Sequence, residues 1–266
     1  MSLQEIIKIG TCGFGDFKPQ AGWREQFASK LAAFSETLKL MEVNNTFYQL
    51  PKVTTCSRWK EEAGANFEFT IKAWQGLTHP VNSPTWRKRK DKLTEKQRKE
   101  LGNLRPNDSV FQAWEETKQC AEALGTSVCI VQTPASFGCT RENRDNMTKL
   151  FTDIGRGGVS IAWEPRGDWH HYPEEVKAIC DQLNLIHVVD LMRREPLTQS
   201  STAYLRMHGL NKKEYDYDYD YSTEELKQLA GKLHKLAETR STIYCLFNNL
   251  NMHKNAMELK YILARQ

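Results

Sequence analysis

Short apolar runs alternate with longer amphipathic stretches along the whole chain. Eight runs of five to eight residues are rich in β-branched and aromatic side chains, a pattern that favours strands. They are Ile6–Cys12, Leu40–Phe47, Phe67–Ala73, Val128–Thr133, Val159–Trp163, Leu185–Asp190, Ala203–Met207 and Ile243–Phe247. Helical periodicity lies near residues 22–38, 53–64, 108–124, 141–154, 172–183, 222–239 and 252–264. This alternation is typical of a parallel sheet with helical crossovers.

Eight strand–helix units in a chain of 266 residues favour a closed (β/α)8 barrel of TIM type over an open sheet. No clear linker interrupts the alternation, so we expect one α/β domain over residues 1–266. The unit after the sixth strand is irregular, because Leu191–Ser201 contains Pro196 and little helical periodicity. A capping box at Ser222–Glu225 marks the start of the helix after the seventh strand.

The parity of the strands separates a polar face from an apolar one. In the seventh strand Tyr204, Arg206 and His208 share one face, and Leu205 and Met207 lie on the other. The third and fifth strands alternate in the same way. We expect the polar faces to point into the barrel and to become more polar toward the C-terminal strand ends.

Barrel enzymes carry their chemistry at those C-terminal ends. The acid–base candidates there are Glu164, Asp190 and His208. The candidate substrate-binding residues are Lys72, Arg166, Arg206, Glu42, Asn44, Thr46, Gln132 and Asn248. Glu164 and Arg166 are two residues apart and should project the same way, while His79 is a weaker candidate expected to reach the same end.

These residue types define a chemistry. Carboxyl and imidazole groups act as general acids and bases when their environments set their pKa values apart, and Arg and Lys bind phosphate or carboxylate. We therefore expect an enzyme of hydrolase or lyase type acting on a small anionic substrate. Two other interpretations stay open: the balanced charges order the barrel mouth as a buried network, or the acids hold a divalent metal. The sequence lacks tight metal-ligand spacing and any motif that demands NAD, flavin, PLP or haem, so no cofactor is predicted.

The formal net charge is +4, and one segment carries the whole basic excess. Residues 87–105 hold nine Lys or Arg against three Asp or Glu, and they follow the third strand as part of a βα loop. Two interpretations of this segment stay open. It is either the charged, solvent-exposed face of a helix or a basic surface that binds phosphate or nucleic acid.

A second unusual segment follows the seventh strand. From Tyr215 to Tyr221, tyrosine alternates with Asp216, Asp218 and Asp220. This pattern predicts a loop or an irregular strand. The tyrosines suit stacking on a base or a sugar, whereas the aspartates would repel phosphate.

The remaining composition points to the cytoplasm. The seven cysteines are scattered, odd in number and without a C-x-x-C pair, which argues against a disulfide framework. No run of 18 apolar residues predicts a membrane span, and the first residues lack the apolar block of a signal peptide.

Motifs in seven segments fall in the order of one family. They are Ile9–Phe14, Met41–Tyr48, Phe69–Ala73 with Thr78–His79, Gln132–Pro134, Trp163–Arg166, Tyr204–Gly209, and Phe247–Asn249 with Asn255–Ala256. Through them the chain resembles the domain-of-unknown-function family 72, the YecE-like proteins, over almost its whole length. The resemblance implies a TIM-type barrel but no established reaction. The chain departs from the commoner pattern at Cys12, where serine is usual, and in residues 87–105, which are longer than in many members.

Two rival functions remain beside the acid–base enzyme. One is a metal-assisted phosphoesterase that binds nucleic acid through residues 87–105, by fold analogy with endonuclease IV. The other is a non-catalytic barrel that binds a metabolite. The substrate and the oligomeric state are not predicted.

Overall fold

The computed structural model describes residues 3–87 and 92–265. Within these residues eight strands form a closed barrel in which they follow one another in chain order. They are β1 (Ile7–Thr11), β2 (Leu40–Val43), β3 (Glu68–Lys72), β4 (Val128–Gln132), β5 (Ser160–Glu164), β6 (Ile186–Val189), β7 (Thr202–Met207) and β8 (Thr242–Phe247). All of the pairings with a recorded register are parallel, and β1 pairs with β8 to close the barrel. The TIM-type barrel predicted from the sequence is therefore confirmed.

Helices occupy the intervals between strands, as the periodicity predicts, except the interval between β6 and β7. In the described residues they are α1 (Leu3–Ile6), α2 (Trp23–Gln26), α3 (Lys30–Ser35), α4 (Val53–Ala63), α5 (Glu95–Glu100), α6 (Asp108–Leu124), α7 (Arg141–Asp153), α8 (Pro173–Gln182), α9 (Thr223–Ala237) and α10 (Met252–Leu263). The predicted capping box is present, because Ser222 and Glu225 each accept the other's backbone N–H at the start of α9. None of the helices in the described parts of the chain is long and apolar enough to cross a membrane.

Two predicted elements differ from the observed ones. The single helix expected near 22–38 is split into α2 and α3, because Ser29 is extended and caps α3 by accepting a hydrogen bond from the Ala32 N–H. The second strand ends at Val43, and residues Asn44–Phe47 form a 3-10 helix instead of continuing it.

The irregular unit after β6 is confirmed. Residues 190–201, all of which the structure describes, contain a turn and bends but no helix. Asp190 begins the turn: its carbonyl accepts the N–H groups of Arg193 and Arg194 at 2.9 and 3.0 Å.

The chain divides into two compact units, each with its own core. The first unit comprises Met1–Val43, Ser57–Phe69 and Val188–Gln266, and the second comprises Asn44–Cys56 and Thr70–His187.

In the first unit Phe34 packs edge-on against Phe17 and Phe67. In the second, Trp163 packs edge-on against Trp169, and its indole N–H donates to Thr133 Oγ1 at 3.2 Å.

The structure describes part of the basic segment. Lys88, Arg89 and Lys90 lie outside the described residues. The described remainder includes α5, capped by Thr94, and an exposed ion pair between Lys96 and Asp108 at 2.9 Å.

Candidate functional site

The second unit carries a polar cluster at the ends of three consecutive strands. Lys72 ends β3, Gln132 ends β4 and Glu164 ends β5, and Gln132 and Glu164 are register partners. The Lys72 ammonium donates to Gln132 Oε1 at 2.9 Å and lies 4.2 Å from the centre of the Phe47 ring. Strand parity placed Lys72 among the inward side chains, and its 7% exposure agrees with that prediction.

Glu164 and Arg166 project the same way, as their spacing predicts. Arg166 Nε and Nη2 both approach Glu164 Oε1, at 3.0 and 2.9 Å. Both side chains are largely buried, so the pair forms in a medium of reduced polarity. The guanidinium of Arg166 is therefore held in one orientation.

His79 is buried beside these cations. Burial lowers the pKa of His79 to about 3, and the positive charges of Lys72 and Arg166 lower it as well. Its Nδ1 lies 2.7 Å from Thr78 Oγ1, and its ring packs edge-on against Phe47 at 4.8 Å. His79 is thus a neutral imidazole near pH 7. The sequence offered His79 only as a weaker candidate, although the Thr78–His79 motif of the resemblance also pointed to it.

In the first unit Asp190 follows β6 and is 2% exposed. Its Oδ1 accepts the Met192 N–H at 3.0 Å and its Oδ2 accepts the His208 N–H at 2.8 Å. Burial raises the pKa of Asp190 to about 6, although these two hydrogen bonds and the charge of Arg193 oppose the shift. The carboxyl therefore gains or loses its proton near neutral pH.

His208 stands directly beyond β7, and its backbone is bound to Asp190. Its imidazole is 3% exposed. The rings of Tyr215 and Tyr217 each lie 5.7 Å from the imidazole centre, the first edge-on and the second tilted. Two of the three predicted acid–base residues are thus neighbours in the chain's tertiary structure.

Glu42 and Arg206 form a buried ion pair in the same unit. Arg206 Nη2 donates to Glu42 Oε1 at 2.9 Å, and the Tyr204 hydroxyl donates to Oε2 at 3.0 Å. Both charged side chains are completely buried. The charges of the two residues compensate each other, so their roles in binding substrate stay predictions.

Three further predicted residues lie at strand ends with different surroundings. Thr46 is fully buried, and its hydroxyl donates to the Lys72 carbonyl at 2.6 Å. Asn44 opens the 3-10 helix after β2 and is half-buried. Asn248 follows β8, is half-buried, and donates its backbone N–H to the Met207 carbonyl.

Asn249 was not among the predicted residues. It is 1% exposed, and its amide nitrogen donates to the Tyr219 carbonyl at 2.8 Å and to Asn255 Oδ1 at 2.7 Å. Its Oδ1 is buried and has no hydrogen-bond partner among the residues that the structure describes. The Phe247–Asn249 motif of the resemblance was the signal that pointed to it.

The described residues do not fit a metal ion. No group of three or more His, Cys, Asp or Glu side chains is arranged to hold one within residues 3–87 and 92–265. Two of the acids that the sequence suggested as metal ligands form ion pairs instead, Glu42 with Arg206 and Glu164 with Arg166. No chemical step is therefore routed through a metal.

Comparison with known proteins identifies relatives of the same fold and unknown function. The family described as "Protein of unknown function DUF72" matches residues 8–266. The UPF0759 protein YunF of Bacillus subtilis (strain 168) is 23% identical over 92% of this chain and 89% of its own length.

Two crystal structures of DUF72 family proteins are also similar. The one from Enterococcus faecalis V583 is 20% identical, with a TM-score of 0.69 over 99% of both chains. The one from Thermotoga maritima MSB8 is 21% identical, with a TM-score of 0.69 over 97% of this chain and 99% of the other.

Proposed function

We propose that this chain, which belongs to the DUF72 family, is an enzyme that uses acid–base chemistry on a small anionic substrate. The observation that carries the proposal is the buried carboxyl of Asp190, whose pKa is raised to about 6. A general acid or base works best when its pKa lies near the operating pH. Such perturbed groups concentrate at functional sites, and strand C-terminal ends are where barrel enzymes carry them.

Asp190 differs from an acid that only balances a charge. Its two oxygens accept backbone N–H groups, at 3.0 Å from Met192 and 2.8 Å from His208. These contacts fix the orientation of the carboxyl, while burial favours its neutral form. Asp190 is therefore proposed to exchange a proton with the substrate, and His208 to relay that proton.

The second unit supports the anionic character of the substrate. The Lys72 ammonium donates to Gln132 Oε1 at 2.9 Å and is buried at the end of β3. Burial lowers the pKa of His79 most, and the positive charges of Lys72 and Arg166 close to its imidazole lower it further. A positive potential favours a phosphate or carboxylate ligand. Glu164, held by Arg166, is the acid–base candidate that we propose for the second unit.

The nucleic-acid phosphoesterase receives no such support. The acids at the strand ends are engaged in ion pairs and backbone hydrogen bonds rather than grouped as metal ligands. It stands on the charge of residues 87–105 and on fold analogy with endonuclease IV.

A ligand panel tests the proposal. Purified protein is heated with single phosphosugars, phosphorylated and plain carboxylic acids, nucleotides, short DNA and divalent metals. A ligand at 100 times its Kd adds about 2.7 kcal/mol to the free energy of unfolding, which raises the Tm measurably. Arg166→Gln should remove the shift, whereas Arg141→Gln, at a 90% exposed arginine on α7, should keep it.

Turnover then separates an enzyme from a binding protein. We expect the stabilising ligand to be converted by the wild type and by Arg141→Gln but not by Asp190→Asn. Conversion at the wild-type rate by Asp190→Asn would refute the role of Asp190. Binding without conversion in the wild type would favour the metabolite-binding barrel, and a shift only with metal and DNA together would favour the phosphoesterase.

A further inference from the structure

The proposed acid–base groups are closed off from solvent. Asp190 and His208 are 2% and 3% exposed, so a dissolved substrate cannot touch either side chain in this arrangement. The Tyr215 and Tyr217 rings pack against the imidazole of His208. The Tyr/Asp run noted in the sequence therefore supplies the atoms that lie over His208.

The run has two faces, as its alternation implies. Tyr215, Tyr217 and Tyr219 are half-buried and Tyr221 is buried, whereas the three intervening aspartates are exposed. The tyrosines thus face the protein and the carboxylates face water. The aspartates that the sequence suggested would repel phosphate lie on the outer face.

The C-terminal half of the run is anchored. The Tyr221 hydroxyl accepts the Gly209 N–H at 2.9 Å, and the Tyr221 ring packs edge-on against Phe247. The Tyr219 hydroxyl donates to Glu225 at 2.5 Å, in the capping box of α9. Asp220 pairs with Lys254 at 2.6 Å, on α10. These contacts join the run to elements of the barrel.

The preceding residues are held by contacts of another kind. Glu214 makes a two-pronged ion pair with Arg194, with N···O distances of 2.5 and 2.8 Å. Arg193 donates to the carbonyls of Gly209 and Asn211. Both arginines lie in the turn whose backbone N–H groups bind the Asp190 carbonyl. The contacts that hold these residues down therefore originate next to the proposed reacting carboxyl.

We propose that residues 210–217, which we call the cover segment, form a lid over Asp190 and His208 that opens to admit the substrate. Gly209 and Tyr219 are the fixed ends of this movement, and the Arg194–Glu214 pair is its latch. Opening also breaks the hydrogen bond that the Leu250 N–H donates to the Tyr217 carbonyl at 2.8 Å. Closure sequesters the reacting groups from water, as lids do in other enzymes. The inference rests on the proposed function only in naming Asp190 and His208 as the groups that react.

Chemical labelling of histidine tests the lid without a substrate. Diethylpyrocarbonate acylates accessible neutral imidazoles, and mass spectrometry of peptides gives the rate at each histidine. The exposed His170 and His171 serve as the fast references and the buried His187 as the slow one. In the wild type, we expect His208 to react at least about tenfold more slowly than the exposed pair, because reaction requires opening.

The latch is tested by Glu214→Gln, which keeps the size of the side chain and removes its charge. We expect His208 to react about threefold to fivefold faster, in line with the upper range for a partly exposed ion pair, while His187 does not change. Glu195→Gln is the matched control, because it removes an ion pair with Lys232 at 3.0 Å between more exposed side chains. It should leave His208 unchanged.

Two results would overturn the lid. One is labelling of wild-type His208 as fast as that of His170 and His171, and the other is an equal rate at His208 in the Glu214→Gln and Glu195→Gln variants. Failure of the proposed function looks different. In that case Asp190→Asn would convert substrate normally while the protection of His208 persisted.

Discussion

The buried pair of Glu42 and Arg206 offers the sharpest test of how the first unit is stabilised. Neither side chain has exposed surface, and Glu42 also accepts the hydroxyl of Tyr204. Glu42→Ala removes the carboxylate and leaves the guanidinium of Arg206 buried without this partner. The loss is expected to destabilise the folded protein strongly, because an uncompensated buried charge costs far more than a surface one.

The magnitude follows from the contacts that disappear. Breaking a buried ion pair by removing one partner costs about 3–5 kcal/mol. The Tyr204 hydroxyl loses its acceptor in the same change, and a buried unsatisfied hydroxyl costs about 1–3 kcal/mol. Because the two losses share one carboxylate they are not additive, so we expect about 4 kcal/mol in total.

Urea denaturation followed by circular dichroism measures the effect. The control is Glu195→Ala, which breaks the exposed pair with Lys232 and should cost less than about 1 kcal/mol. The double variant Glu42→Leu/Arg206→Met removes both charges and should be more stable than Glu42→Ala. A loss below about 1 kcal/mol in Glu42→Ala, or a double variant less stable than the single one, would refute the reasoning.

Two further predictions concern stability. Gly209 has φ +105°, and a Cβ there would lie 2.4 Å from the Cβ of Tyr219, so Gly209→Ala should lower the Tm. A Cβ added at Gly231 in α9 meets no atom within 4 Å, so Gly231→Ala should raise the Tm. Equal changes of Tm in the two variants would contradict the reasoning. The pKa of Asp190 is raised from 3.8 to about 6, so the folded protein holds its proton more tightly than the unfolded chain. The free energy of unfolding should therefore fall by roughly 3 kcal/mol as the pH rises from about 4 to above 6. Urea denaturation across that pH range should show that the free energy of unfolding depends less on pH in Asp190→Asn than in the wild type. The same pH dependence in both proteins would count against the raised pKa of Asp190.

The barrel could be predicted because each strand carries its own signal. Short apolar runs and the amphipathic stretches between them are local sequence patterns. Eight predicted strands in a chain of this length leave a closed barrel as the favoured topology. The predicted ends of helices and strands were wrong where a local cap or turn overrides the periodicity of the sequence. Ser29 interrupts a continuous helical pattern, and the apolar residues up to Phe47 favoured a strand where the chain forms a 3-10 helix.

The site residues could be placed at strand ends, but their partners could not be predicted. The sequence placed Glu42 at a strand end and Arg206 on an inward face, yet only the tertiary structure shows that they bind each other. Asp190 looked like a free acid in the sequence, whereas its oxygens accept backbone N–H groups, which no residue pattern encodes. The positions of Tyr215 and Tyr217 over His208 depend on contacts made by a loop that has no regular element.

The proton on Asp190 can be observed directly. Carbon-13 labelling of aspartate, with the Asp190 signal assigned by its absence in Asp190→Asn, allows its carboxyl shift to be followed from pH 3 to pH 8. The account predicts a midpoint of about 6 for Asp190, set by burial that outweighs two backbone hydrogen bonds. A midpoint near 4 would mean that the carboxyl is an ordinary ionised group at neutral pH, and it would contradict the acid–base role at the centre of the account.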